Sequence, residues 1–107
     1  MKIPQSFLDK IRARVRVSDV VGQRIELRKQ GREWRGLSPF KAEKIPSFYV
    51  NDEKGFYHDF SSGKHGDAFA FLMETEGLSF PEAVERLAAV AGLPMPIVER
   101  ESEGEEG

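Results

Sequence analysis

Cations and rings alternate through the middle of this chain. Arg28, Lys29, Arg32, Arg35, Lys44 and Lys54 are interleaved with Trp34, Tyr49, Phe56 and Tyr57. That mixture suits single-stranded nucleic acid, because the cations meet phosphates while every base has a face that stacks on a ring. Alternate aromatics in a strand also line cores. Phe48, Val50 and Phe60 are therefore assigned inward, and Trp34 stays divided between core and open surface.

A second constellation has the spacing of a metal site without its chemistry. Ser38-Pro39-Phe40-Lys41 and Asp59-Phe60-Ser61-Ser62 each place two small or charged residues three apart in a turn-like segment. A structural zinc takes two ligands from each of two such turns, but it takes them as thiolate or imidazole. The chain has no cysteine and two histidines, so thiolate sites and disulfides are both excluded. A trio of His58, Asp59 and His65 is conceivable. The simpler reading makes His58 a strand residue on an open face and His65 a loop residue beside Gly66.

Catalytic patterns are missing. The sequence has no glycine-rich phosphate loop, no Ser-His-Asp arrangement and no paired carboxylates on one helix face. No catalytic residue is assigned, and the chain by itself is expected to be non-catalytic.

The elements that must hold these residues follow from periodicity. Ile3, Phe7, Leu8, Ile11 and Val15 recur at helical spacing behind Pro4, and a short second helix is predicted from a Ser18 cap to Gly22. Residues 24–37 alternate apolar and polar about Lys29-Gln30-Gly31, and residues 47–60 do so about Asp52-Glu53-Lys54-Gly55. Two β-hairpins are predicted. Asp67 then caps a helix through Phe69, Phe71, Leu72 and Met73 to Gly77. Ser79 and Glu82 form the capping box of a last helix, expected to bury Phe80, Ala83, Val84, Leu87 and Ala88 before Gly92-Leu93-Pro94.

The predicted fold class is α+β: an antiparallel four- to five-stranded sheet, two helices before it and two after. Packing the helices on one sheet face leaves the other as the working surface. Residues 3–96 form the domain, and the acidic stretch 97–107 is expected to be a disordered linker or tail.

The net charge of −2 conceals a split. Residues 1–64 carry 14 Lys+Arg against 8 Asp+Glu, or +6; residues 65–107 carry 2 against 10, or −8. A basic face on an acidic protein is thereby expected. No 18-residue apolar run suggests a membrane span, the N-terminus lacks a secretory pattern, and a cytoplasmic location is the expectation.

Long literal stretches resemble one family. GRxxxGLxPFxxEKxPSF, EKxFYHxF and GDxxxFLMExEGLSFPEAVERLA occur in order, and together they resemble the N-terminal zinc-ribbon (CHC2-type) domain of bacterial DNA primases. The resemblance covers residues 3 to about 96. It implies a DNA-replication role within the primosome, in which this domain reads single-stranded template, helps select primer initiation sites and presents them to a polymerase domain. It also implies a replicative helicase as partner of a further C-terminal region. An activity, RNA primer synthesis, would belong to the parent enzyme. The family's template-facing cations fall on Arg32, Lys44 and Lys54, with Gly31 and Pro46 shaping adjacent turns. Lys29, Trp34, Arg35, Tyr49, Phe56 and His58 complete the candidate DNA-binding set. The alternative is a docking or regulatory domain that contacts the polymerase domain or helicase instead of DNA.

The family's zinc ligands, by this resemblance, fall on Ser38, Lys41, Asp59 and Ser62. All four depart from the pattern, so no zinc or other cofactor is expected. A structural zinc contributes roughly 10 kcal/mol to small domains. The expected substitutes are a Lys41–Asp59 ion pair, hydrogen bonds of Ser38 and Ser62 with each other or with knuckle amides, and packing through Phe40, Phe48, Phe60, Phe69 and Phe71.

Overall fold

The computed structural model describes residues 3–42 and 44–96. The predicted tail, 97–107, lies outside the described residues. Helix α1 is Gln5–Arg14 and α2 is Val17–Val21; the strands are β1 (Arg28–Gln30), β2 (Glu33–Gly36), β3 (Phe48–Asn51), β4 (Phe56–Asp59) and β5 (His65–Gly66); α3 is Ala68–Glu76 and α4 is Phe80–Ala91. The five strands form one antiparallel meander in chain order, with two helices before it and two after.

Strand alternation separates the two sheet faces. Phe48, Val50, Tyr57 and Asp59 point inward and are fully buried, while Tyr49, Asn51, Phe56 and His58 point the other way and are half-buried or exposed. The inward rings meet Phe71 of α3. Phe7, Leu8 and Ile11 of α1 and Ala83, Val84, Leu87 and Ala88 of α4 complete one core.

The capping chemistry read for the last two helices holds. The Asp67 side chain accepts from the Ala70 amide, and Ser79 and Glu82 make the reciprocal capping box. Both helices end on glycines in the left-handed region, Gly77 and Gly92.

Five local expectations are corrected. Ser18 does not cap α2, which begins one residue earlier behind Arg16. Asp52, from the β3–β4 loop, does that work: it accepts from the Ser18 amide at 2.9 Å and from its hydroxyl at 2.6 Å. The first hairpin turns on Gly31-Arg32, since Gln30 is still paired with Glu33. Gly31, at φ 63°, supplies the positive φ that a two-residue type II′ turn needs at its first position. His65 is not a loop residue but pairs with His58 in β5.

Phe80 remains exposed on the α4 flank against Phe69 at 5.6 Å between ring centres. Phe60 is 68% exposed and not in the core. Its place is one beyond the inward Asp59, so the strand period sends it to the opposite face.

Candidate functional site

Asp59 is the hub of a serine cage. Its carboxylate accepts hydrogen bonds from the hydroxyls of Ser38, Ser47, Ser61 and Ser62 and from the Ser61 amide, at 2.5 to 3.1 Å. The hydroxyls are themselves pinned. Ser38 Oγ accepts from the Phe40 and Lys41 amides, and Ser62 Oγ accepts from the Lys64 amide. Backbone bonds bring the segments to this point, with Ser47 N donating to Gly36 O, Phe60 N to Ser47 O and Asp59 N to Lys64 O.

A fully buried carboxylate without a cation should resist ionisation, yet this one does not. Burial pushes the Asp59 pKa up, but the hydroxyls of Ser38, Ser62 and Ser61 and the Ser61 amide outweigh it and bring it down to about 2. The expected Lys41–Asp59 ion pair is absent. Lys41 Nζ instead donates to the Ser61 carbonyl at 3.3 Å, on the exposed rim. Of the two arrangements expected for Ser38 and Ser62, the structure has bonds from backbone amides of the turn segments rather than a bond between the two hydroxyls, and both hydroxyls also donate to the same carboxylate. The cage was thus half legible, for Ser47 lies outside either turn and only strand pairing brings it in.

The cage rests on aromatic packing. Phe48 stacks on Tyr57 with centres 5.1 Å apart, Phe71 meets both edge-on, and Phe40 closes over them at 6.2 to 6.4 Å. Tyr57, read from sequence among the nucleic-acid rings, belongs to the core instead. Its hydroxyl is buried without a hydrogen-bond partner among the described residues. Burial first, then the carboxylates of Glu74, Asp67 and Asp59, pushes its pKa up to about 12.

The opposite face carries the second candidate. Strand register sets Arg28, Arg35, Tyr49, His58 and His65 in one row across all five strands. Phe60 packs edge-on to Tyr49 at 5.5 Å and lies 4.3 Å from His58. The two imidazoles are nearly parallel, with centres 5.9 Å apart. Phe56 and Asn51 form the next row, where Asn51 donates to Glu33. Asp59 points to the other face, so His58, Asp59 and His65 do not converge.

Of the sequence-derived set, Arg35, Tyr49, Phe56 and His58 share this open face. Trp34 and Lys29 do not. Trp34 is paired with the buried Val50 and packs half-buried at the core margin, with Lys29 Nζ 5.2 Å over its ring. Arg32 and Lys54 sit in the two hairpin turns at one end of the sheet. Lys44 is exposed in the β2–β3 connection at the other end. Strands of four residues hold these ends roughly 13 Å apart, a few nucleotides of extended strand.

A family model described as a CHC2 zinc finger matches residues 3–103. The chain belongs to the CHC2 zinc-finger family of bacterial DNA primases. It is 45% identical over 103 residues to the DNA primase of Geobacillus stearothermophilus, covering 96% of this chain and 17% of that protein. It is 45% identical over 98 residues to the DNA primase of Haemophilus influenzae, covering 92% and 16%. Among solved structures, the Aquifex aeolicus primase, comprising zinc binding and RNA polymerase domains, superposes with a TM-score of 0.77 at 31% identity. That match covers 90% of this chain and 23% of that one. The chain therefore spans about a sixth of the length of its curated relatives.

Of the four positions on which the resemblance places the family's zinc ligands, Ser38, Asp59 and Ser62 are in the cage and Lys41 is at its rim. Three hydroxyl- or ammonium-bearing residues and one carboxylate already saturated by serine hydroxyls do not fit zinc. Among the described residues, no group of three or more His, Cys, Asp or Glu could hold a metal ion. None of the helices described is long and apolar enough to cross a membrane.

Proposed function

We propose that this domain recognises single-stranded DNA template for a bacterial DNA primase, without catalysing a step itself, and so helps select where RNA primers start. One observation carries the reading: on the open face the half-buried Tyr49 and His58 and the exposed His65 and Phe60 form one ring surface beside Arg35 and Arg28. An aromatic group of this kind on a solvent face has no role in the core, and stacked bases would cover it. Arg32, Lys54 and Lys44, at the two ends of the face, would hold phosphates on either side. The +6 balance of residues 1–64 favours the encounter.

In this reading the serine cage does the structural work that a metal does elsewhere, pinning the β2–β3 connection to the β4–β5 turn. The polymerase domain receives the template, and a C-terminal region of the longer protein engages the replicative helicase. A titration of isotope-labelled chain with short single strands tests the proposal. Shifts should concentrate on Tyr49, His58, Phe60, Arg32, Lys44 and Lys54, and affinity should fall steeply with salt.

A second reading is favoured by Ile45 and Leu37, which are 75% and 46% exposed near the cage end of the sheet. Apolar side chains there suit contact with a protein partner such as the polymerase domain. Binding of that partner with little salt dependence, and no response to single strands, would select it.

A further inference from the structure

A pocket of 580 Å³ opens beside the β1–β2 hairpin, with the apolar side chains of Ile25, Leu37 and Pro46 on one side and the cations Arg28, Lys29 and Arg35, with one carboxylate, Glu26, on the other. Its size is in the range of small-ligand sites. Gly36 shapes it: a Cβ there would lie 2.6 Å from the Glu26 carbonyl oxygen, so only glycine lets the segment entering β1 lie so close to β2.

The charge arrangement is unfavourable without a ligand. Arg28 and Arg35 are directly opposite in the register, and like charges so placed repel. Arg28 has only a loose, exposed pair with Glu26 at 3.8 Å. Among the described residues, Arg35 is in no ion pair at all. An anion set between the two guanidiniums relieves the repulsion, and phosphate matches their forked donors. The three apolar walls beside them suit a planar, weakly polar body. We infer that this pocket holds one nucleotide, its phosphate between Arg28 and Arg35 and its base against Ile25, Leu37 and Pro46.

That nucleotide has two sources. It is either a free nucleotide or one unit of the template strand, since Arg35 belongs to both the pocket and the ring row of the open face. In the second case the inference rests on the template-reading proposal.

The test uses the labelled chain with ATP, with AMP, with inorganic phosphate and with a mixed-sequence single strand, following the amides of Ile25, Gly36 and Leu37. Saturable shifts there with ATP or AMP identify a free-nucleotide site; shifts there with the single strand alone identify a template nucleotide. In either case Arg28→Gln/Arg35→Gln should weaken binding at least tenfold while raising the melting temperature of the unliganded chain. Leu37→Ala, which keeps both cations, should weaken it severalfold. Silence at these amides with every probe overturns the inference, as does undiminished binding by the double variant or equal occupancy by inorganic phosphate. A single strand that shifts only Tyr49, His58 and Phe60 removes the pocket and leaves template reading intact. ATP binding in the pocket without any single-strand binding does the reverse.

Discussion

Ser38 and Asp59, 21 residues apart in the chain, are joined hydroxyl to carboxylate across the two turn-like segments. The bond is one of five that converge on the same side chain. It ties the β2–β3 connection to the end of β4, with the Asp59 carboxylate as the centre of the turn pair.

Removing that centre should cost more than removing any spoke. Asp59→Ala leaves four half-buried hydroxyls without their shared acceptor, and a loss of about 2–4 kcal/mol in urea denaturation is expected. Ser62→Ala removes one charge-assisted bond and should cost about 1–2 kcal/mol. Lys41→Ala should cost well under about 1 kcal/mol, because its one bond is exposed. It should also combine additively with Asp59→Ala, whereas strong coupling between the two would restore the ion pair.

Acid should unfold the domain through the same residue. The folded pKa of Asp59, about 2, lies below its ordinary 3.8. Its contribution to stability is thus fully present above pH 4 and lost as pH falls through 2. The difference corresponds to roughly 2 kcal/mol. Stability measured by urea at stepped pH should show this loss, and Asp59→Asn should lack that part of it.

Chelation should have no effect on folding. Strong chelator should leave the melting temperature unchanged, and elemental analysis of the purified chain should find far less than stoichiometric zinc. A drop of many degrees with chelator would contradict the donor chemistry of the cage.

The orphan hydroxyl of Tyr57 predicts an unusual substitution. Tyr57→Phe keeps the ring stack with Phe48 and Phe71 while removing a buried polar group that has no partner. The variant should be as stable as the parent or about 1 kcal/mol more stable. Loss of more than that in thermal melts would mean the hydroxyl is bonded in solution.

On the open face, Phe60→Ala and Tyr49→Ala should each weaken single-strand binding by about 1–3 kcal/mol. Neither ring is in the core, so the melting temperature should change little with Phe60→Ala. Equal losses of stability and binding would instead make Phe60 a packing residue.

Sequence by itself determined the helices and the two hairpins in outline, and the chemistry missing from them, but not β5 or the start of α2. Helical spacing marked α1, the capping box marked α4, and the absence of cysteine removed any thiolate site, because these depend on residues close in the chain or on composition alone. Which face each ring takes was decided by tertiary structure. Phe60 and Tyr57 differ by strand parity, fixed only once Asp59 turns inward, and Trp34 follows Val50 because register pairs them. The cage was decided the same way: the predicted 47–60 hairpin brings Ser47 beside Asp59, but Ser38, from the β2–β3 connection, reaches the same carboxylate only in the folded chain.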